Sequence, residues 1–589
     1  MDFRPPVSEI AYMARLFGLD RLEKDGLAPE IADGLAETIL EEAGKFAADR
    51  IAPLNRIGDT IGAKYLNGSV TTPEGWKTTY HEWAGAGWNG LTAPTEFGGQ
   101  GLPHLLHLAA SEMWTAASMA FMLGPMLTSG AVDALVAHGS DELKSIYLEK
   151  LIAGEWMGTM NLTEPQAGSD VGALKTKAEK QADGTYRISG QKIYITYGEH
   201  DMVDNIIHLV LARLPDAPHG SRGISLFLVP KFLVNSDGTV GARNDVRCAG
   251  IEHKLGIHGS PTCTMIYGDH DGAIGYLIGE ENRGLNCMFT MMNSARLGVG
   301  LQGVAVAERA TQLAVSYASE RKQGKTILGG TDGNGPIIGH PDVLRMLTMM
   351  RAKTEAARAI CYMTAAAIDR SHREPDETKR KAAEERAALL TPVAKSWSTD
   401  IGIEVASLGI QVHGGMGFIE GSGAAQHLRD ARIAAIYEGT NGIQAIDLVA
   451  RKLPLSQGGA VRALLADANA MVARYGASDL SHAKSAAANL ADAMSALEKA
   501  TVAISDAQAK RPAEALAVAT PYQNLFGIAL GGAALAEAAT HAKGTALETH
   551  YATLTRFFAT HVSPQTSALA TIVLEGGDAL SPDLFAAHA

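Results

Sequence analysis

Apolar residues change their spacing along the chain, and the changes divide the sequence into four regions. In the first region, as at 29–49, they recur every three to four positions, which is the spacing of amphipathic helices. The second region has short runs of β-branched and aromatic residues between Gly, Asp, Asn and Pro, which predicts strands and turns. Helical spacing then returns, and the last region is helical and rich in alanine. We therefore predict an α+β protein, mainly α, with an N-terminal helical domain at 1–156, a middle β domain at 157–280, a helical bundle at 281–455 and a helical extension at 456–589.

The helical patterns are longest in the third region and most regular in the fourth. Long helices are predicted over 298–321 and 341–371, and the glycine-rich segment 412–418 interrupts the helices of that region. In the extension, the spacing predicts one buried helix face, formed by Leu490, Met494, Leu497, Thr501 and Ile504.

Composition and charge describe a soluble protein and exclude several classes of function. Charged residues are 20% and hydrophobic residues 46% of the 589 positions, as in ordinary globular proteins. The net charge of −13 argues against a protein that mainly neutralises nucleic-acid phosphates, because such surfaces are basic. The four cysteines form no C-x-x-C pair, so we expect neither a zinc ribbon nor a disulfide framework. A reduced compartment, the cytoplasm, fits this cysteine usage.

We expect no targeting segment and no insertion into a membrane. The N-terminal residues lack a basic stretch followed by an apolar one, so no secretory leader is predicted. The most apolar late stretch, 524–536, is shorter than the roughly 20 residues that span a bilayer.

Several common catalytic motifs do not occur in the sequence. The Gly-Lys-Thr at 324–326 has Ser319 where a phosphate-binding loop needs glycine. The Gly-Met-Gly at 415–417 follows no predicted strand and lacks the third glycine of a dinucleotide fingerprint. The 19 histidines are scattered and no H-E-x-x-H occurs, so we predict no metal site.

Two segments have residues suited to chemistry, and the first is 160–178. Thr163, Gly168 and Ser169 place hydroxyls and bare backbone amides close together where the β domain begins. Such groups suit a ring with amide-like edges or a phosphate. They are also typical of a β-turn that Ser and Asp side chains stabilise, so both alternatives stay open.

The second segment contains Glu438, which follows an apolar run and precedes Gly439. Apolar neighbours favour the neutral form of a carboxyl group, so its pKa rises toward the range of a working base. Alternatively, Glu438 only caps an element or pairs with Arg429 or Arg432. The residues alone do not decide between a base and a structural ion pair.

Longer motifs around these segments resemble those of the FAD-dependent acyl-CoA dehydrogenase family. They occur in that family's order and approximate spacing, as GWNGL at 87–91, EFGGQGL at 96–102, TEPQAGSDVGALKTKA at 163–178, GQKIYIT at 190–196, SERKQGK at 319–325, QVHGGMGF at 411–418 and IYEGTNGIQ at 436–444. The resemblance covers about residues 30–453. The alanine-rich extension is similar to that of a larger subgroup, which includes enzymes of dimethylsulfoniopropionate breakdown.

The resemblance implies a fold and a reaction. The family fold has a helical N-terminal domain, a middle β domain and a C-terminal four-helix bundle, with FAD held between them and across a subunit interface. In the family reaction a base removes the α-proton of an acyl-CoA thioester while the β-hydrogen leaves as hydride to FAD. The product is a trans-2-enoyl-CoA, and the electrons pass to an electron-transfer flavoprotein. We accordingly expect a homodimer with these two partners, an acyl-CoA and the flavoprotein.

The resemblance also implies roles for residues of this chain. Glu438 matches the catalytic base, and Ser169, Arg296, Glu438 and Gly439 match residues that contact the acyl-CoA. The residues that match FAD contacts are Leu162, Thr163, Gly168, Ser169, Tyr194, Ile195, Thr196, Arg321, Gln411, Gly414, Gly415 and Thr440.

The chain departs from the family pattern at two of these positions. Tyr194 stands where many relatives have a tryptophan beside the flavin, so an aromatic face is retained. Arg321 matches the residue that reaches the FAD pyrophosphate of a neighbouring subunit, a task suited to arginine. The motif after Arg321 is one residue shorter than usual, and a glycine-rich stretch follows at 329–335.

The acyl group and the electron acceptor stay open at this stage. The extension favours a short or sulfur-containing acyl group such as 3-methylmercaptopropionyl, and a medium or long chain is the alternative. Bulky side chains at 113–126, namely Met113, Met119, Phe121, Met122 and Met126, shorten the acyl pocket or merely fill the core. Two further hypotheses are an acyl-CoA oxidase that uses O₂ and a flavin-binding scaffold without catalysis.

Overall fold

The N-terminal region is helical with one small hairpin, and the computed structural model describes residues 3–328, 335–581 and 583 of the chain. Its elements are α1 Val7–Ala14, α2 Asp20–Lys24, α3 Leu35–Phe46, α4 Ala52–Ile61, β1 Lys64–Leu66, β2 Ser69–Thr71, α5 Trp76–Gly85, α6 His104–Ala117, α7 Met119–His138 and α8 Asp141–Ile152. The helix predicted over 29–49 begins only at Leu35, because Asp33 and Gly34 adopt φ of 57° and 82°. Positive φ angles at two successive residues end any helix that approaches from the N-terminal side.

The β region confirms the strands predicted between 157 and 280. Its strands are β3 Trp156–Asn161, β4 Lys177–Lys180, β5 Tyr186–Thr196, β6 Asn205–Ala212, β7 Ser225–Pro230, β8 Phe232–Val234, β9 Val240–Arg243, β10 Val246–Ile251, β11 Thr262–Tyr267 and β12 Ala273–Ile278. The main sheet has the order β10-β11-β5-β12-β7-β6-β3, with β4 paired to β5. β3 runs parallel to β6, and the other pairs are antiparallel. β6 and β7 are buried along their whole length, which explains their uninterrupted apolar sequences.

The C-terminal bundle is built on long helices, as the spacing predicted. Its helices are α9 Gly284–Glu320, α10 Pro341–Arg373, α11 Glu377–His413, α12 Ala424–Ala431 and α13 Asn441–Asp447. Gly303 of α9 faces α11 so closely that an added Cβ would lie 2.1 Å from the Ser398 carbonyl oxygen. Only glycine permits this approach of the two helix backbones.

The extension continues as helices that pack on the bundle. These are α14 Gly459–Ala477, α15 Ala483–Lys510, α16 Pro512–Ala517, α17 Ala519–Ala542, α18 Glu548–His561 and α19 Gln565–Glu575. The predicted face of α15 is confirmed, because all five of its residues are buried. Gly527 of α17 sits against Trp397 of α11, where an added Cβ would lie 2.3 Å from the indole ring.

Two helices, α7 and α17, are long and apolar enough to cross a membrane. The expectation that the late apolar stretch is too short was wrong, since the helix around it has 24 residues. In both helices most of the apolar window, 78% and 83%, is buried inside the protein. Both are therefore core helices of this fold.

A buried ionic cluster joins the N-terminal domain, the bundle and the extension. Arg358 of α10 is fully buried and contacts the carboxylates of Glu112 (2.6 Å), Glu308 (3.1 Å) and Glu355 (2.6 Å). Glu112 lies on α6, and the Tyr551 hydroxyl of α18 lies 3.4 Å from Glu355. Arg351 of α10 also pairs with Glu308, so two guanidinium groups balance carboxylates from several elements.

Candidate active site

Glu438 lies in a short turn between the bundle helices, and its backbone is held in an uncommon conformation. Its φ is 57°, and Gly439 follows with φ of 85°. The buried Gln444 side chain donates to the carbonyl oxygens of both residues at 3.2 Å. Thr440 then caps α13 by accepting from the Ile443 N–H. A non-glycine residue at positive φ is strained, and such strain persists where neighbouring contacts fix it, often at functional sites.

Glu438 as a residue is partly exposed, although protein atoms surround its side chain. Burial raises the pKa of Glu438 to about 7, against the opposing charges of Arg296 and Lys395. A carboxylate with a pKa near neutrality is suited to accept a proton and to release it again. Arg429, one alternative partner, instead binds Asp59 and Glu420.

Lys395 of α11 is a further charged group near this turn, and the sequence analysis missed it. Its side chain is 0% exposed, and its Nζ donates to Asn441 Oδ1 at 2.9 Å. Asn441 in turn donates from Nδ2 to Asp400 Oδ1 at 2.8 Å. Burial lowers the pKa of Lys395 to about 7. This network fixes the first residue of α13, three positions after Glu438.

Arg296 of α9 is a second cation whose charge acts on the Glu438 carboxylate. It is buried, its Nη1 is 3.9 Å from Asp447 Oδ2, and its guanidinium lies 5.9 Å from the Phe289 ring centroid. Its buried Nε has no hydrogen-bond acceptor within the described chain. Because a buried donor without a partner is unfavourable, this atom fits a polar group of a bound ligand.

The end of β5 is bonded to β3, and the residue after it is bonded to α7 of the N-terminal domain. Thr159 of β3 donates from its hydroxyl to the Thr196 carbonyl at 2.6 Å, and the Tyr197 hydroxyl donates to the Ala120 carbonyl of α7 at 2.8 Å. The same hydroxyl lies 3.5 Å from the carbonyl oxygen of Phe121. This carbonyl lacks the usual helical hydrogen bond, because Pro125, four residues later in α7, has no N–H. These bonds hold the end of β5, with the predicted Thr196, against α7. Met126 of α7 contacts Gln302 of α9, which also contacts Tyr437, the residue before Glu438.

The loop with Thr163, Gly168 and Ser169 follows β3 and is fixed by a buried ion pair. The Glu164 carboxylate accepts from Lys192 Nζ at 2.8 Å and from the backbone N–H of Lys175 at 2.7 Å. Lys192, on β5, also donates to the Leu162 carbonyl at 2.9 Å. A β-turn stabilised by its own Ser and Asp side chains therefore does not fully explain this loop, because the ion pair between Glu164 and Lys192 also fixes it. Sequence reasoning missed both Glu164 and Lys192.

Several predicted residues of this surface are open to a ligand. Tyr194 is 60% exposed at φ of 60°, and Thr163 and Thr196 are partly exposed on the same region of β5 and the loop before it. An added Cβ at Gly168 would meet nothing within 4 Å. Ile195 is the exception, because its side chain is buried in the β-domain core and only its backbone could contact a ligand. Hydroxyls, bare backbone and an exposed aromatic ring are groups that fit the isoalloxazine and phosphates of FAD.

Arg321, Gln411, Gly414 and Gly415 lie elsewhere, at the far end of the bundle. Arg321 follows α9 and is about 37 Å along that helix from Arg296, at 1.5 Å per residue. The ends of α9 and α11 are joined by stacking of Tyr317 on His413 at 4.4 Å. These exposed residues therefore form one group that is distant from Glu438 of the same chain. The glycine-rich stretch at 329–334 lies outside the described residues.

Comparisons with known proteins cover nearly the whole chain. Family models match at 36–155 (acyl-CoA dehydrogenase, N-terminal domain), 159–269 (middle domain), 282–453 (C-terminal domain) and 460–581 (acetyl-CoA dehydrogenase C-terminal like). A 3-methylmercaptopropionyl-CoA dehydrogenase of Ruegeria pomeroyi is 46% identical over 98% of this chain and 99% of its own. A butyryl-CoA dehydrogenase of Syntrophomonas wolfei is 40% identical over 73% of this chain and 72% of its own.

Solved structures agree with the fold. Caenorhabditis elegans ACDH-11, in complex with C11-CoA, superposes with a TM-score of 0.78 at 20% identity, covering 98% of this chain and 96% of that one. An acyl-CoA dehydrogenase complexed with FAD from Bacillus anthracis gives 0.74 at 22% identity, with 95% and 91% covered. A chain from work on the electron transferring flavoprotein of Acidaminococcus fermentans gives 0.58 at 27% identity, with 70% and 96% covered.

Proposed function

Because the chain belongs to the acyl-CoA dehydrogenase family and is an FAD-dependent oxidoreductase, we propose that its substrate is 3-methylmercaptopropionyl-CoA. The supporting observation is the 46% identity over 98% of the chain, extension included, to the Ruegeria pomeroyi enzyme of that name. The butyryl-CoA dehydrogenases match about three quarters of the chain. The methylthio acyl group would lose hydrogens from its α and β carbons and become a trans-2-enoyl thioester.

We assign the proton transfer to Glu438. Its carboxylate, with a pKa near 7, would remove the α-proton of the thioester. Within the described chain its own backbone N–H has no acceptor, so it can donate to the thioester carbonyl and stabilise the negative charge that develops there. Arg296 would hold a polar group of the substrate with its unpaired Nε. FAD, when bound on the Thr163, Ser169, Tyr194 and Thr196 surface, supplies the acceptor for the hydride.

The pH dependence of kcat/KM tests this electrostatic arrangement. Glu438 must be deprotonated to act, so kcat/KM rises with pH through about 7 and is lost below it. Lys395 holds the pKa of Glu438 down, so Lys395→Met moves this limb of the profile to higher pH. The profile is measured for both proteins with the same acyl-CoA. A limb that stays in place or moves to lower pH contradicts the arrangement.

The substrate proposal is tested with a panel of acyl-CoAs. The purified holoenzyme is mixed without oxygen with 3-methylmercaptopropionyl-, butyryl-, octanoyl- and palmitoyl-CoA, and the loss of flavin absorbance is followed. We expect the highest kcat/KM with the methylthio or butyryl substrate. The buried Met113, Met119, Phe121 and Met122 fill the core, and Met126, which is partly exposed, would be the residue that shortens the pocket. Preference for palmitoyl-CoA contradicts a short acyl pocket.

The electron acceptor is proposed to be an electron-transfer flavoprotein. This partner follows from the family, and the chain resembles one from work on such a flavoprotein in Acidaminococcus fermentans. In an assay with both acceptors available, turnover should need the flavoprotein. Peroxide formation at the same rate in its absence would instead make the protein an oxidase.

We propose a homodimer in which each chain completes the FAD site of the other. The residues at the far end of the bundle, Arg321 and Gln411, lie too far from Glu438 to share one FAD with it. Apolar side chains beside them are exposed, namely Phe418 (87%), Ile327 (77%), Ile419 and Met416. Light scattering should give twice the chain mass of 61.9 kDa, and a monomer with tightly bound FAD contradicts the proposal.

The free, buried cysteines are consistent with a cytoplasmic location, which we also propose.

A further inference from the structure

A buried amide on α9 forms a hydrogen bond to a thioether beside the base. The Gln302 Nε2 group donates to the sulfur of Met126, on α7, at 3.5 Å. The amide oxygen of the same side chain accepts from the hydroxyl of Tyr437, the residue before Glu438. Gln302 is only 3% exposed, so its polar atoms depend on these two partners. The three side chains form a group that we call the thioether site.

The thioether site adjoins the base, because its Tyr437 directly precedes Glu438 in the chain, and the acyl end of a substrate held at the base would lie near it. Gln302 is six residues after Arg296 on α9, or about 9 Å along the helix. Met126 is partly exposed, whereas the other bulky residues at 113–122 are buried. Gly298 lies one turn before Gln302 and has no side chain where Met126 packs. A Cβ added at Gly298 would lie 3.0 Å from the Met126 sulfur.

A thioether sulfur is a weak acceptor, and a buried amide donor normally binds an oxygen. Gln302 nevertheless donates one N–H to the sulfur of Met126, and its amide nitrogen has a second N–H. The methionine side chain ends in CH₂–S–CH₃, which is also the end of the 3-methylmercaptopropionyl group. A donor that binds the first group has the geometry and polarity to bind the second.

We propose that Gln302 is a specificity-determining residue, whose amide N–H binds the sulfur of the methylthio acyl group while Met126 and Tyr437 close the pocket around it. The inference rests on the proposed substrate class. It explains how the enzyme would distinguish a thioether from a hydrocarbon chain of equal length.

The test compares two substrates that differ only at this atom, 3-methylmercaptopropionyl-CoA and pentanoyl-CoA, which has CH₂ in place of sulfur. We expect wild type to favour the thioether in kcat/KM by a few-fold to about tenfold, the range of one neutral hydrogen bond. Gln302→Leu should bring this ratio close to one whatever it does to the absolute rates, because the two substrates then meet the same hydrocarbon side chain. An unchanged ratio in Gln302→Leu overturns the proposal.

A second variant separates hydrogen bonding from packing. Met126→Leu removes the competing sulfur and keeps the side-chain bulk, so the preference for the thioether should persist or increase. If Met126→Leu abolishes the preference, packing and not the amide sets it, and the proposal fails. The Met126→Leu measurement still tests the proposal if Gln302→Leu yields no holoenzyme.

The outcomes distinguish this inference from the proposed function. A wild-type enzyme that turns over both substrates with a ratio near one overturns the role of Gln302 and leaves the proposed reaction in place. A wild-type enzyme that turns over neither, yet acts on a longer acyl-CoA, overturns the proposed substrate and this inference together.

Discussion

Glu438→Gln lowers kcat by about 10³-fold or more, because a general base typically contributes about 10²- to 10⁴-fold to the rate. The amide has nearly the size and shape of the carboxylate but cannot accept the α-proton. The turn around it should survive, because Gln444 bonds the backbone carbonyls of Glu438 and Gly439 and not the replaced side chain. FAD content should therefore equal that of wild type.

A matched control for this variant is Glu420→Gln. Glu420 is a carboxylate 18 positions earlier, 62% exposed and paired with Arg429 at the surface. The same chemical change there should leave kcat within about twofold, because exposed ion pairs contribute little. Rates are measured by flavin bleaching and by turnover with the electron acceptor. If Glu438→Gln retains a tenth of wild-type kcat, another group is the base.

Arg358→Met destabilises the folded chain by about 3–5 kcal/mol or more, because it leaves the buried carboxylate of Glu112 without its cation. Arg358 contacts Glu112, Glu308 and Glu355, and it is fully buried. These contacts connect α6, α9 and α10, and Glu355 also lies near α18 of the extension. We expect a large fall in the urea midpoint, or accumulation of insoluble chain, together with early proteolysis of the extension.

The matched control is Arg386→Met, which also removes an arginine between the bundle and the extension. Arg386 pairs with Asp467 of α14, and both side chains are substantially exposed. Such a surface pair contributes about 0–1 kcal/mol, so the urea midpoint should hardly move. Equal midpoints for Arg358→Met and wild type would show that the buried cluster does not hold these elements together.

Local patterns predicted those parts of the fold that depend on spacing alone. The buried face of α15 follows from apolar residues at helical intervals, and the strands follow from short β-branched runs between turn residues. The start of α3 was predicted six positions too early. Its true start depends on Asp33 and Gly34 adopting positive φ, which the apolar spacing of the neighbouring residues does not reveal.

The candidate site was predicted only where motifs mark it. Glu438 and the Thr163–Ser169 loop stand out through glycines, hydroxyls and an acidic residue after an apolar run. Lys395, Gln302 and Lys192 were missed, because each is a single polar residue in a helix or strand. Such residues usually point to solvent. Their burial and their hydrogen-bond partners depend on packing between segments that are distant in sequence, so no local pattern predicts them.

The most direct test of Glu438 as the base is hydrogen exchange at C2 of the acyl group. The holoenzyme is first reduced chemically, so that the β-hydrogen has no acceptor and only α-proton removal can occur. It is then incubated in D₂O with 3-methylmercaptopropionyl-CoA, and deuterium at C2 is followed by NMR. Wild type should exchange this position, and Glu438→Gln should do so about 10³-fold more slowly. Exchange at the wild-type rate in Glu438→Gln would contradict the assignment of the base.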